Sequence, residues 1–228
     1  PKSDPIDLSV FCVEPGRWVE TAGHFQSFGT LMAQPSVRKE AMAAKDQQKV
    51  WEEVRKSKAD TMSVLGAPAA PALQKTSSYA GVMGNQEVER QLDAVARPIK
   101  RSYDGLMREL RVQNAVGVVV AVNGEIIWAD VFASTALLEK YWPKLIRSYA
   151  AEALIARGAR YPDVKWRQAD AKSAQAFLEH FEGRRESVES EPGVYRHTEI
   201  HGDGFTAFEL SSLLPGNVFD IHVAKMAD

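Results

Sequence analysis

The sequence predicts an α+β protein in which a mainly antiparallel sheet is packed against several amphipathic helices. Three observations point there. Two β-rich runs, Val116 to Val122 and Glu125 to Phe132, are joined by Asn123-Gly124, which reads as a hairpin with a type I′ turn. The final third holds three short runs, Val194 to Ile200, Phe205 to Leu210 and Val218 to Val223. His201-Gly202-Asp203-Gly204 and Pro215-Gly216-Asn217 separate them at the spacing of an antiparallel meander. The helical periodicities lie apart from these strands rather than alternating with them, which disfavours a doubly wound parallel sheet.

Leu8 to Val13, β-branched and aromatic, predicts a buried strand, ended by Pro15-Gly16 in the order a type II turn requires. Gly23 to Gln34 reads as a loop. Ser36 caps a helix whose apolar positions Val37, Ala41, Ala44, Trp51, Val54, Met62 and Leu65 run to the stop signal of Gly66 and Pro68. Residues 66–85, punctuated by Pro and Gly, form the internal linker candidate of a single domain spanning 1–228. Asn85 caps the next helix, with Val88, Leu92, Val95, Ile99, Tyr103, Leu106 and Leu110 on one face and a kink or break expected at Pro98. Ser134 caps another, carrying Leu138, Tyr141, Leu145, Tyr149 and Ala153, restarted at Pro143 and ended by Gly158. A last helix is expected from Asp170 to Gly183, burying Ala174, Phe177, Leu178 and Phe181.

Composition narrows the function classes. The 228 residues include 28 Lys and Arg against 30 Asp and Glu, a formal charge of −2, with 45% hydrophobic and 25% charged residues. This is globular composition, and it excludes a disordered, collagen-like or membrane-embedded chain. The near-balance of charge argues against a nucleic-acid partner, because Arg97, Lys100, Arg101, Arg108 and Arg111 are explained by a solvated helix surface. Cys12 is the one cysteine, so no internal disulfide forms, and a lone thiol suits a reducing, cytoplasmic setting. No apolar run approaches the roughly 18 residues of a membrane span. The opening Pro1-Lys2-Ser3-Asp4-Pro5 reads as an internal loop and sets the expectation of a segment upstream.

A few side chains could carry chemistry. In the expected strand, Cys12 and Glu14 share a face, and the following turn folds Arg17 and Trp18 back over the strand end. A carboxylate, a guanidinium and an indole there could hold an anionic ligand with a planar group. A Glu14–Arg17 ion pair with Trp18 plugging the core is the plainer reading. Gln47 and Trp51, four residues apart, share a helix face, where either a ligand or the Arg17-Trp18 loop would be their partner. Asp130 stands on an apolar strand face with Ile126, Trp128 and Phe132, where a bare carboxylate costs several kcal/mol. An arginine or the helix N-terminus after Ser134 is expected to satisfy it. His24, His180, His197, His201 and His222 show no metal-binding spacing, and neither a serine-hydrolase elbow nor a P-loop occurs, so no metal is expected and no cofactor is indicated.

Phe11-Cys12-Val13-Glu14-Pro15-Gly16-Arg17-Trp18 is followed in order by three further strings. These are Gln47-Gln48-Lys49-Val50-Trp51, then Val116 to Gly124 with Asp130-Val131-Phe132, then Tyr141-Trp142-Pro143-Lys144-Leu145 with Tyr149. This succession resembles the ARG-and-rhodanese-phosphatase-associated protein domain family over residues 8–155; residues 160–228 show no matching motif. The resemblance implies a bacterial type of domain whose gene neighbourhoods hint at ADP-ribose or nucleotide metabolism, and it implies a β-rich segment upstream of Cys12.

Two functions follow as expectations. In the first, a small anionic ligand, ADP-ribose-like or nucleotide-like, is held by Arg17, Trp18, Gln47 and Trp51, with Glu14 or Asp130 as general base. In the second, the same residues are the polar and aromatic core of a non-catalytic interaction module. Homo-oligomerisation or association with an upstream segment is compatible with both.

Overall fold

The computed structural model describes residues 10–15, 32–43, 45–66, 70–158 and 169–228. They form seven helices and one sheet: α1 (Pro35–Ala43), α2 (Gln47–Leu65), α3 (Ala70–Gln74), α4 (Tyr79–Met83), α5 (Gln86–Val112), β1 (Gly117–Val122), β2 (Glu125–Phe132), α6 (Thr135–Gly158), α7 (Ala171–Glu179), β3 (Gly183–Glu191), β4 (Tyr195–Gly202), β5 (Phe205–Leu214) and β6 (Asn217–Ala227). The fold is α+β. The chain divides into two compact units. One comprises Pro1–Val10, Glu109–Lys140 and Trp166–Asp228, and holds the sheet with α7; the other, Phe11–Arg108 and Tyr141–Lys165, is helical.

The sheet has six strands in the order β1-β2-β6-β5-β4-β3, every neighbouring pair antiparallel. The β1–β2 hairpin turns at Asn123 and Gly124, both with positive φ (55° and 83°), as a type I′ turn requires. The closing meander is also present, and it gains β3 at its outer edge. That strand escaped the sequence reading because Gly183-Arg184-Arg185-Glu186-Ser187 has no apolar face. Charge of this kind guards an edge strand against further pairing. β6 returns to pair with β2, joining hairpin and meander into one sheet. Gly202 is required by a close approach, since a Cβ there would clash with the ring of Phe205 on the paired strand.

α7 lies on one face of this sheet. Asp170 accepts the Ser173 backbone N–H (2.7 Å), and the Ser173 hydroxyl oxygen accepts the Asp170 N–H in return (2.9 Å), closing the N-terminus. The helix stops at Glu179, short of the expected Gly183, and none of its residues is fully buried; Leu178 is 39% exposed. Phe177 and Phe181 pack against Ile200, Phe205 and Ala207. One apolar edge touching the sheet is enough to seat a helix this short.

In the helical unit the single long helix expected from Ser36 is two. Lys45 takes a left-handed conformation (φ 50°), and the Asp46 carboxylate caps α2 by accepting from the Gln48 and Lys49 N–H groups. Residues 10–14 are not a strand. The punctuated stretch 66–85 carries α3 and α4, whose Leu73, Tyr79, Val82 and Met83 are buried. Asn85 caps α5 as expected, while Pro98 and Pro143 lie within continuous helices. Tyr103 of α5 stacks on Trp142 of α6 with ring centroids 4.3 Å apart, and Arg147 of α6 pairs with Glu89 and Asp93 of α5. No helix among the described residues is long and apolar enough to cross a membrane.

Candidate functional site

The sequence-expected site residues fall in three places. Arg17 and Trp18 lie outside the described residues. Glu14, Gln47 and Trp51 belong to the helical unit, and Asp130 to the sheet unit.

Gln47 stands at the start of α2, where its amide clips the extended chain at Cys12. The Cys12 N–H donates to Gln47 Oε1 (2.8 Å) and Gln47 Nε2 donates to the Cys12 carbonyl (2.7 Å). This pair of bonds supplies what a neighbouring strand would have given the segment. Two residues on, Glu14 Oε1 accepts the Ala80 N–H of α4 (2.8 Å), and the Ser77 hydroxyl donates to the Pro15 carbonyl (2.7 Å). Glu14 Oε1 and the Gln47 amide thus bond the chain's own backbone. Trp51 follows one turn after Gln47, half-buried on α2.

A buried network lies behind this junction. The Gln34 N–H donates to the Tyr79 hydroxyl (3.0 Å), and Gln34 Oε1 accepts from Ser57 Oγ (2.9 Å). Burial pushes the Tyr79 hydroxyl far above the ordinary tyrosine pKa, so it stays protonated and serves as a hydrogen-bonding strut.

Asp130 has a different character. It is 0% exposed on β2. Its Oδ2 accepts the indole N–H of Trp128 (2.9 Å), two residues back on the same face, and its Oδ1 lies 2.8 Å from Nε2 of His222 on β6. The register brings His222 there: Phe132 pairs with His222 and Asp130 with Ala224, so Asp130 and His222 are diagonal neighbours. The imidazole also stacks on Phe132, with centroids 4.7 Å apart and planes 21° apart.

Two β-bulges flank the group. Val120 pairs with Trp128 but Ala121 with Ile126, leaving Ile127 extra. Leu210 pairs with His222 but Ser211 with Asp220, leaving Ile221 extra. A bulge breaks the alternation and re-aims the adjacent side chain. Both devices sit immediately beside the residues that meet at Asp130.

The chemistry follows from the donor count. One carboxylate oxygen receives an indole N–H, which can only donate, and an ionised carboxylate accepts at its other oxygen as well. In the neutral imidazole Nε2 then carries the proton toward Oδ1, and Nδ1 presents its lone pair. The His222 side chain is 28% exposed while its carboxylate partner is 0% exposed. An oriented histidine backed by a buried carboxylate is the arrangement of a general base, with the carboxylate fixing the tautomer and stabilising the protonated ring.

A second pair lies on the same face, His201 Nε2 being 3.0 Å from Glu199 Oε1 on β4. Asp130, Ala224, Phe208 and Glu199 are successive register partners from β2 to β4, so the two carboxylates stand in one row. Among the described residues no group of three or more His, Cys, Asp or Glu side chains could hold a metal ion. Sequence reasoning counted His222 among the histidines but gave it no role. The only local signal was an imidazole within the strand-like run Val218 to Val223.

No curated protein and no solved structure matches the chain. The model of the ARG and Rhodanese-Phosphatase-superfamily-associated Protein domain matches residues 1–224, extending through most of β6 the resemblance first seen over 8–155. That range takes in both halves of the Asp130–His222 pair, and the chain belongs to this family.

Proposed function

We propose that the domain holds a small polar ligand against His222 and that the His222–Asp130 pair accepts a proton from it and returns it. The observation that carries this reading is the burial contrast, a fully buried carboxylate bonded to a partly exposed imidazole. A structural ion pair gains nothing from leaving its histidine accessible, whereas a base must reach its substrate. Nδ1 is a proton acceptor, so the ligand must offer a hydroxyl, an amide or a bound water there. The flat Phe132–His222 stack beside it suits a planar ring. A nucleotide or ADP-ribose-like compound meets both requirements and is the class favoured by the family resemblance.

Unfolding of the full chain is measured with AMP, ADP-ribose and NAD. At about 100 times its Kd a true ligand stabilises by about 2.7 kcal/mol. His222→Ala should remove that gain while the variant still unfolds in one cooperative step. If no compound shifts the wild type, or the shift survives in His222→Ala, the proposal fails.

The bonds of Glu14 and Gln47 to backbone favour a second reading for the helical unit, a non-catalytic module in which these residues fix the extended segment at Cys12 against α2 and α4. Under it, substitution of either residue lowers stability and leaves ligand gains unchanged.

A further inference from the structure

We propose that the helical unit carries a binding site for a small carboxylate with a short apolar tail, in the cleft between α2 and α4. The cleft has a volume of about 150 Å³. A cavity of that size takes a ligand of about six heavy atoms, too few for a nucleotide. It is independent of His222, which lies in the other unit.

The lining decides the chemistry. Val54 and Val82, both buried, and the ring of Tyr79 give an apolar floor. Arg55 and Lys58 supply two positive charges, Ser57 and Ser77 supply hydroxyls, and the described lining contains no carboxylate. A cation would be repelled, and a neutral apolar molecule would make no use of either charge. Phosphate has the charge but no tail for the floor. A short-chain carboxylate satisfies both ends.

The walls are already fixed. Lys58 Nζ donates to the Thr76 carbonyl (2.6 Å) and to the Gln74 carbonyl (3.5 Å). An ammonium has three N–H groups, so one is left for a ligand. The Ser77 hydroxyl is tied to the Pro15 carbonyl, and Gln34 holds Ser57 and Tyr79 from behind. Little ordering is left for binding to impose, which favours measurable affinity even for a ligand this small.

The test is a titration of the uniformly ¹⁵N-labelled full chain with butyrate, followed by amide chemical shifts. Butyrate should move the Ser57, Lys58, Ser77 and Tyr79 amides saturably. Butanol, its neutral counterpart, should bind at least about tenfold more weakly, the scale of one charge-assisted hydrogen bond. Arg55→Gln, at an exposed position that leaves the fold intact, should weaken butyrate by about the same factor. Val82→Phe should fill the floor and abolish the shifts. Absence of saturable shifts, equal binding of butanol, or a Kd unchanged in Arg55→Gln would each overturn the site. None of these outcomes bears on the nucleotide titration at His222.

Discussion

Replacing Asp130 by alanine is expected to destabilise the protein by about 3–5 kcal/mol, the cost of removing one partner from a buried charged network. The Trp128 indole N–H and the His222 Nε2–H would both lose their acceptor, the first in a side chain that is 1% exposed. Leaving a buried donor unpaired costs more than the bond itself contributes, because water cannot reach in to replace the lost partner. Urea denaturation at neutral pH checks the figure. Asp130→Asn separates fold from chemistry. The amide keeps the shape and one acceptor, so its stability loss should be well under half that of Asp130→Ala. But if the amide N–H₂ faces His222, the ring must adopt the other tautomer, with Nδ1 protonated and useless as a base. Any proton transfer at His222 should therefore fall far more than stability does.

Lys225 is the second large effect. It is 1% exposed beneath α7, and its ammonium donates to the carbonyls of Phe177 and His180 at the end of that helix. The rings of Phe177, Phe181 and Phe205 surround it, Phe205 with its centroid 3.9 Å from Nζ. A cation at a helix C-terminus answers the unpaired carbonyls and the negative end of the dipole. Lys225→Ala removes three buried methylenes at about 0.8 kcal/mol each and leaves the carbonyls without that donor, so a loss of about 3 kcal/mol or more is expected. Lys225→Met restores the stem but not the donor and should recover the larger part. Hydrogen exchange should accelerate first in α7, whose seating depends on this contact.

The same residue fixes the sign of a pH effect. Burial pulls the Lys225 pKa below its ordinary value of 10.5. Between the lowered value and 10.5 the unfolded chain binds more protons than the folded one, so stability rises with pH across that window. The difference between wild type and Lys225→Met should accordingly grow as pH climbs toward 10.5, since Met has no proton to lose. A constant difference would mean that the partners around the ammonium fully offset its desolvation.

The fold was legible wherever local rules decide. Asn123-Gly124 can form one kind of turn, Asn85 and Asp170 can cap, and the meander is spaced by its turns. Reading failed where pairing is distant. β3 has no apolar pattern of its own and exists because β4 offers it an edge. Lys45 and Asp46 break a continuous periodicity, because a left-handed residue and a cap cost little and let the chain turn. The segment at Cys12 has strand composition yet no strand beside it, and a glutamine side chain takes the ladder's place.

The site divides along the same line. Asp130 could be singled out because a carboxylate on an apolar face demands a partner, and that much is local. The imidazole bonded to it was beyond reach of the sequence, since His222 is 92 residues away and is delivered by the β2–β6 register together with a bulge at Ile221. Glu14 Oε1 and the Gln47 amide bond backbone groups, partners that no spacing rule could single out.

The central claim is that a buried Asp130 holds His222 with Nδ1 presented as a base. Nitrogen-15 spectroscopy of the imidazole in the 228-residue chain tests it most directly, in the pH range where the ring is neutral. The structure predicts the Nε2–H tautomer for His222 in the wild type, replaced by the Nδ1–H form or by a mixture in Asp130→Asn. A His222 ring that is Nδ1-protonated in the wild type, or that averages freely between tautomers with and without Asp130, would contradict it.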